Sequence, residues 1–268
     1  MRETRETSGP EFIEAIARGL DVIRAFGTLG QSLSLSELSA ATGLARPTVR
    51  RILLTLDELG YVRAADGTFS LTPRVLDLGM AYVSASSIWE IARPHLEELS
   101  RSVGQSCSLA ELDGSDVVYV ARVAVPKLVA LSVTIGTRFP AAATSLGKVL
   151  LAALPADELE RVLAVPSRAS VTPSWNPDAQ EIEAALREVR AAGWALTDQQ
   201  LAPAIRSIAA PVRDGSGRVV AAVNVNAHAM ETSVETLVGD YLPKLLTTAS
   251  ALSADWARWQ SRPLAEVS

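Results

Sequence analysis

The chain has 268 residues, 48% of them hydrophobic, and a formal net charge of −5. This length predicts two domains, and no apolar run approaches the ~20 residues that a membrane span needs. The charged residues 1–11 lack the apolar core of a signal peptide, so we expect a flexible tail there and a cytoplasmic protein. The single cysteine, Cys107, excludes an internal disulfide, and the two histidines, His95 and His228, are too far apart in sequence to suggest a zinc site. We therefore predict no metal and no cofactor.

Residues 12–73 have the pattern of a winged helix-turn-helix domain. Ser34, followed three residues later by Glu37, predicts a capping box that opens a short helix, and Gly43 supplies the turn after it. An earlier helix is expected to cover the back of the helix pair with one apolar face, formed by Phe12, Ile16, Leu20, Ile23 and Phe26.

The second helix of the pair opens with Arg46 and Pro47, and a proline in the first turn does not disturb a helix. Its apolar residues recur at helical spacing, which leaves cationic and hydroxyl side chains for the outward face. Such a helix is typical of proteins that insert it into the major groove of DNA. We predict that DNA is contacted by Ser36, Arg46, Pro47, Thr48, Arg50, Arg51, Thr55, Arg63 and Thr68.

A wing is predicted directly after this helix. Two short strands, 61–63 and 69–71, are joined by a turn at Asp66 and Gly67. Residues 1–80 contain nine Arg and no Lys against ten Asp and Glu, a net charge of −1, so this domain is not strongly basic. A small helical domain with a hairpin that binds no DNA therefore stays open as an alternative.

Residues 74–103 are predicted to form two linker helices, at 74–84 and 88–103, which also offer a surface for dimerisation. Residues 104–258 mix strands and helices and are followed by a short tail at 259–268. The predicted strands are 107–112, 117–122, 128–135, 194–197, 208–213 and 219–226. The predicted helices are 145–154, 156–163, 178–192 and 234–256. Hairpins between the strands indicate an α+β domain with an antiparallel sheet and a concave face that holds a pocket.

Three segments of the second domain resemble the IclR-type transcriptional regulators. They are GTRFPAAATSLGKVLLA at 136–152, DQQLAPAIRSIAAPVRD at 198–214 and GRVVAAVNVNA at 217–227. With the helix-turn-helix, the resemblance extends over residues 12–258, and it is strongest to regulators of protocatechuate, 4-hydroxybenzoate and β-ketoadipate catabolism. It implies a GAF-like domain that senses a small organic acid, aromatic or dicarboxylic, and controls binding to operator DNA. It also implies homodimers that pair into tetramers.

The resemblance implies an effector pocket at positions where the motifs match. These positions are Leu128, Leu131, Ser145, Leu146, Thr197, Asp198, Ser207, Asn224 and Asn226. Many family members have Cys where this chain has Ser207, and Ser where it has Asn224 and Asn226. The larger amides shrink the pocket and add donors and acceptors, so the effector is expected to differ from a small keto acid.

The residues themselves support a polar site on the last strand. Asn224 and Asn226 are two residues apart and therefore face the same side of a strand. Buried amides need partners, which a polar ligand supplies, although bonds to each other, to Thr197 or to water would also satisfy them. Arg138 and Arg206 are candidate clamps for a carboxylate, and a structural ion pair is the alternative for each.

Two other functions remain as alternatives, a metabolite-binding enzyme and a protein-interaction module with a helical appendage. An enzyme would need a nucleophile or a general base. Cys107 and His228 are the candidates, and neither has a catalytic partner nearby in the sequence. Lys148 follows a glycine, but the segment lacks the remaining residues of a phosphate-binding loop. We therefore predict a regulator that is not an enzyme.

Overall fold

The computed structural model describes residues 9, 11–85, 88–126 and 133–261. The chain divides into two compact units, which we call the N-terminal unit, Met1–Ser86, and the C-terminal unit, Ser87–Ser268. The division falls inside the segment 74–103 that was predicted to link two domains.

The N-terminal unit contains the predicted helix pair and wing, together with one strand that the sequence did not predict. Its helices are α1 Glu14–Leu29, α2 Leu35–Thr42, α3 Arg46–Glu58 and α4 Val75–Ala85. Its strands are β1 Ser32–Ser34, β2 Val62–Ala65 and β3 Thr68–Leu71. They form an antiparallel sheet in the order β1-β3-β2, so the unpredicted β1 pairs with the returning strand of the wing.

The predicted apolar face of α1 is only partly correct. Phe26 is buried, but Phe12, Ile16 and Leu20 are 45%, 60% and 42% exposed. The reason is that only the C-terminal half of α1 packs into the core of this unit, where Val22 is fully buried. The first half of α1 presents its apolar side chains to solvent.

The C-terminal unit is an α+β domain, as predicted. Its helices are α5 Ile88–Val103, α6 Ser145–Ala152, α7 Ala156–Leu163, α8 Ala179–Ala192, α9 Val234–Thr236 and α10 Leu242–Gln260. Its strands are β4 Ser106–Asp113, β5 Asp116–Val123, β6 Arg138–Pro140, β7 Ala195–Asp198, β8 Ile205–Arg213 and β9 Val219–His228. They form one antiparallel sheet in the order β6-β5-β4-β9-β8-β7.

Helices cover both faces of this sheet. On one face, α5 and α10 pack on β4, β5 and β8, with Leu96 and Leu245 fully buried between them. On the other face, α6 lies against β7, β8 and β9, with Leu146 and Leu151 fully buried. The helix predicted as part of a linker, α5, is therefore a core element of the C-terminal unit.

Two predicted elements differ from the structure. The strand expected at 128–135 lies largely outside the described residues, and its described part, 133–135, is not a strand. The last helix is interrupted by a π-helical turn at Leu237–Tyr241. Pro243 follows at the start of α10, and because proline has no N–H it cannot continue the regular hydrogen-bond pattern of a helix. Among the described helices, none has the length and apolar character needed to cross a membrane.

Candidate functional site

The helix-turn-helix is built by local interactions. The Ser34 hydroxyl accepts a hydrogen bond from the Glu37 N–H (3.3 Å), and the Glu37 carboxylate accepts one from the Ser34 N–H (2.8 Å), which forms the predicted capping box. Gly43 takes the left-handed conformation at φ 65° and turns the chain. The Asp57 carboxylate accepts from the Ala64 N–H (3.2 Å) and so ties the wing to α3.

The outward face of α3 is exposed and cationic. Arg46, Arg50 and Arg51 are exposed, as is Arg63 on the wing. Within the described part of the chain, none of these four guanidinium groups is paired with a carboxylate. A free guanidinium is suited to phosphates and to guanine edges, so this face has the chemistry of a DNA reader.

The other predicted DNA contacts vary in availability. Ser36 and Pro47 are exposed and Thr48 is half-buried. The Thr55 hydroxyl donates to the Arg51 carbonyl (3.0 Å), and the Thr68 hydroxyl donates to the Ala65 carbonyl (2.9 Å). Both hydroxyls therefore already donate a hydrogen bond within the N-terminal unit. To donate to DNA, each would have to give up that bond.

A cluster of buried polar side chains lies on the face of the sheet that α6 covers. The Ser207 hydroxyl on β8 is 2.7 Å from the Ser145 hydroxyl at the start of α6 and 2.9 Å from the Thr197 hydroxyl on β7. All three residues are buried. The Thr144 hydroxyl caps α6 by accepting from the Gly147 N–H (2.9 Å), which fixes the helix start beside the cluster.

Asn224 and Asn226 extend this cluster along β9. The Asn224 side-chain oxygen accepts from the Ser108 N–H on β4 (3.1 Å). Asn226 is the direct neighbour of Ser207 in the β8–β9 ladder. Burial raises the pKa of Tyr119, the buried tyrosine of β5, to about 12, and the neighbouring Arg122 and the two amides oppose that shift. Asn224 therefore has a protein partner, the backbone of Ser108, which is not among the partners that the sequence alternative named.

The sequence analysis missed Arg122, the cationic residue of this cluster. Its Nη1 donates to the Ser108 hydroxyl (3.1 Å), while its Nε is buried with no hydrogen-bond partner in the described structure. Burial lowers the pKa of Arg122, and the neighbouring Tyr119 and Cys107 partly oppose that shift. A buried N–H donor without a partner costs free energy, so the group is suited to an added acceptor such as a carboxylate.

A β-bulge explains why Arg122 reaches this face. The β4–β5 register shifts between Leu109 and Ala110, so that Ala110 pairs with Tyr119 and Leu109 with Ala121. The extra residue on β5 reverses the alternation of side chains, and Arg122 then shares the face of Tyr119 and Ser108. The available sequence signal was a single arginine in the apolar segment VVYVARV. Arg122 also borders a cavity of about 370 Å³ between α5 and β5.

Three charged residues predicted for the pocket are not in the cluster. Asp198 and Arg206 form an ion pair (2.6 Å) across β7 and β8. Their side chains face the opposite side of the sheet from Thr197 and Ser207, because neighbouring residues of a strand alternate. The pKa of Asp198 is lowered by its hydrogen bond to Arg206.

Arg138 lies at the far edge of the sheet, on β6. It pairs with Asp113 (2.7 Å) and Asp116 (3.2 Å), the two acidic residues on either side of the turn that joins β4 and β5. The structural ion pair, rather than the carboxylate clamp, thus describes both Arg138 and Arg206. Leu146 is buried in the core on the α6 side, and Leu128 and Leu131 lie outside the described residues.

A buried lysine ties two loops to α6 beside the cluster. Lys148 donates to the Gln200 side-chain oxygen (2.6 Å), and its ammonium lies 4.5 Å from the centre of the Trp175 ring. Burial lowers the pKa of Lys148 to about 8, and Glu188 opposes that shift. The backbone N–H of Trp175 donates to the backbone carbonyl of Gln200 (2.8 Å). The loop after α7 and the loop between β7 and β8 are therefore joined beside Lys148.

Both units match models of one protein family. The IclR helix-turn-helix domain matches residues 15–66, and the C-terminal domain of the bacterial transcriptional regulator IclR matches residues 80–254. The chain belongs to the IclR family of transcriptional regulators. The resemblance inferred from the three sequence motifs is thereby confirmed.

Individual relatives agree with this membership. The chain is 38% identical over 247 residues to the Pca regulon regulatory protein of Pseudomonas putida, covering 92% of this chain and 85% of the relative. It is 48% identical to a transcriptional regulator of Rhodococcus sp. RHA1, whose crystal structure matches 92% of this IclR-family chain and 100% of that one with a TM-score of 0.79.

A third relative was crystallised with an aromatic acid. It is an IclR homologue from Microbacterium hydrocarbonoxydans in complex with 4-hydroxybenzoate, 25% identical, with a TM-score of 0.76 over 91% of this chain and 99% of that one. The family and these relatives are transcriptional regulators, which confirms the prediction of a regulator rather than an enzyme. The described residues contain no group of three or more His, Cys, Asp or Glu side chains placed to hold a metal ion.

Proposed function

We propose that this protein is a cytoplasmic regulator of an aromatic-acid catabolic operon, and that an aromatic carboxylate controls its binding to operator DNA. The observation that carries the proposal is that one chain contains both an exposed cationic α3 and a buried polar cluster. In that cluster, the Nε of Arg122 has no hydrogen-bond partner in the described structure. The relatives named for the Pca regulon and crystallised with 4-hydroxybenzoate support this class of effector.

The DNA contacts proposed are Arg46, Pro47, Thr48, Arg50 and Arg51 on α3. Ser36, Thr55, Arg63 and Thr68 are proposed as further contacts to the backbone. As a homodimer, the protein would present two such helices to half-sites spaced by multiples of ~10 bp. Pairing of dimers into tetramers belongs to the same proposal.

The dimer contact proposed for the N-terminal unit uses two apolar surfaces. Ile13, Ile16 and Leu20 on α1 are exposed, and so are Leu76, Leu78 and Met80 on α4. Large apolar side chains that are exposed on neighbouring turns of a helix, such as Ile16 with Leu20 and Leu76 with Met80, are suited to a contact surface. A second copy of the chain is the partner that a two-fold symmetric operator requires.

The effector site proposed is the polar cluster of the C-terminal unit. Arg122 would bind the effector carboxylate through its free Nε, because a guanidinium forks onto a carboxylate. Ser145, Thr197, Ser207 and Asn226 would hold the opposite, hydroxylated end. From its position on β9, Asn224 would orient both Arg122 and the side chains that hold the hydroxylated end. Leu128 and Leu131 would form the apolar wall that the family resemblance implies.

Effector binding would change the free energy of DNA binding by ~1–3 kcal/mol, the usual range of allosteric coupling. Because Ser145 and Ser207 already bond to each other, a ligand that takes either hydroxyl shifts α6 against β8. The chain enters the C-terminal unit through α5, which makes this helix the covalent route by which such a shift reaches the N-terminal unit.

Fluorescence anisotropy on DNA from upstream of the gene for this protein tests the proposal. Titrations at several salt concentrations, with and without protocatechuate, 4-hydroxybenzoate and β-ketoadipate, are expected to give saturable binding that weakens steeply with salt and shifts with one acid. Binding that no acid changes would reject the aromatic-acid sensor and leave the regulator. A folded protein that binds no DNA would reject the regulator itself.

A further inference from the structure

An apolar side chain lies at the centre of the surface that α3 turns away from the core. Leu54 is 48% exposed. Because an α-helix repeats every 3.6 residues, the 4-3-4 spacing of Pro47, Arg51, Leu54 and Glu58 places these four residues in one stripe along α3. All four are exposed. We call this set the outward stripe.

The core of the N-terminal unit does not need Leu54. Val49, Leu53 and Leu56 fill that core from the opposite side of α3, at 0%, 0% and 8% exposure. About half of the Leu54 side chain is exposed in the isolated unit, and a surface that covered it would add further apolar burial. In a helix-turn-helix protein, the surface that covers the outward side of this helix is the floor of the major groove.

The charges around Leu54 indicate which part of DNA it meets. Glu58, in the same stripe, is repelled by phosphates, which keeps the outward stripe over the bases and away from the backbone. Arg46 and Arg50 lie to one side of the stripe and are free for the phosphates. Leu54 therefore faces base edges, and the only apolar group that B-DNA presents in the major groove is the C5 methyl of thymine.

We propose that Leu54 is a specificity-determining residue of this regulator, and that its methyl groups contact the C5 methyl of one thymine in each operator half-site. Arg51, three residues earlier on the stripe, contacts a guanine through O6 and N7. Three helical residues span about 4.5 Å along the axis, close to the spacing of one base pair, so the thymine belongs to a base pair next to that guanine. The inference rests on the proposed DNA-binding function.

The test replaces thymine by uracil, which removes the methyl group and leaves the hydrogen-bonding edges unchanged. A 30-bp duplex would carry the sequence that the wild-type protein protects from nuclease upstream of its gene, with each thymine changed singly to deoxyuridine. Anisotropy titrations would compare the wild-type protein with Leu54→Ala. Leu59→Ala is the matched control, because Leu59 is equally exposed (51%) at the end of α3 but lies off the stripe.

For the wild-type protein, we expect loss of one methyl group beside a guanine to weaken binding about fourfold, the equivalent of ~0.8 kcal/mol for one buried methyl group. Leu59→Ala should keep this discrimination, and Leu54→Ala should bind the thymine and uracil duplexes equally. Equal discrimination by wild type and Leu54→Ala, or no discriminating thymine for the wild type, would overturn the inference while leaving DNA binding intact. Failure of the wild-type protein to bind the unsubstituted duplex would overturn the proposed function, and this inference with it.

Discussion

In the N-terminal unit, the arginines of α3 lie exposed and are not paired with any carboxylate of the described residues. In the C-terminal unit, Ser145 and Ser207 are buried, Arg122 is half-buried, and all three bond to protein partners. The first arrangement leaves charge available to any polyanion that approaches. The second holds its donors and acceptors in place before a ligand arrives. A surface that recognises DNA can stay rigid and open, while a site that senses a small acid has to exchange internal hydrogen bonds for ligand bonds and thereby move.

The largest expected effect comes from Gly147, because the buried cluster depends on the close approach of α6 to the turn before it. A Cβ at this position would lie 2.1 Å from the Ala141 carbonyl oxygen. We expect Gly147→Ala to destabilise the protein by about 3 kcal/mol or more, since the obstacle is backbone that cannot rotate away. Urea unfolding followed by circular dichroism measures this. Gly239→Ala, where a Cβ meets no atom within 4 Å, is the control, and equal stability of the two variants would contradict the packing argument.

The next effect concerns the exposed arginines. Loss of both Arg46 and Arg50 in a double alanine variant should weaken operator binding about 100-fold, because each charge-assisted hydrogen bond to a phosphate is worth ~1.5–3 kcal/mol. Thermal unfolding should be unchanged, since neither side chain is paired within the described structure. Arg101→Ala removes the same charge from the C-terminal unit, where Arg101 pairs with Glu98 at the surface. If Arg101→Ala weakened DNA binding as much per charge as the α3 changes, net charge rather than the α3 surface would explain the affinity.

A smaller effect distinguishes Arg122, whose Nε lacks a partner, from the ion-paired Arg138. Arg122→Gln should weaken binding of the aromatic acid about 10- to 100-fold, because it removes the charged donor proposed for the carboxylate. Arg138→Gln makes the same change in charge on β6, where the guanidinium is held by Asp113 and Asp116, and should leave acid binding unchanged. Isothermal titration calorimetry of both variants decides between them. Equal losses would mean that the cluster around Arg122 is not the effector site.

The smallest effect is a pH dependence of stability that comes from Lys148. Its pKa is about 8 in the folded protein and 10.5 when unperturbed, so between these values the unfolded chain holds more protons and stability rises with pH. Lys148→Met removes this contribution, and the stability of wild type relative to the variant should rise by roughly 1 kcal/mol from pH 8 to 9. Urea unfolding of both proteins at the two pH values measures the difference. A difference that stays constant would show that Lys148 is not desolvated.

Local chemistry made the N-terminal unit predictable from sequence. The capping box of Ser34 and Glu37, the turn at Gly43 and the wing turn at Asp66 and Gly67 each depend on residues within three or four positions, and the structure contains all of them. β1 was missed because three residues give too short a pattern, and its pairing with β3 spans more than 30 residues. In the C-terminal unit, the period of two along β9 correctly predicted that Asn224 and Asn226 share a face, and β8 places Ser207 next to Asn226.

The family and the types of side chain that the two units use follow from the residues alone. The tertiary structure decided which of the arginines belongs to the buried cluster. Arg138 and Arg206 stand in motifs of the family, yet strand alternation and nearby carboxylates hold them elsewhere. Arg122 stands in a plain apolar strand, and a one-residue bulge between Leu109 and Ala110 brings it onto the polar face. Such a bulge depends on how two strands pair, and pairing is a property of the folded sheet that the order of residues along one strand does not contain.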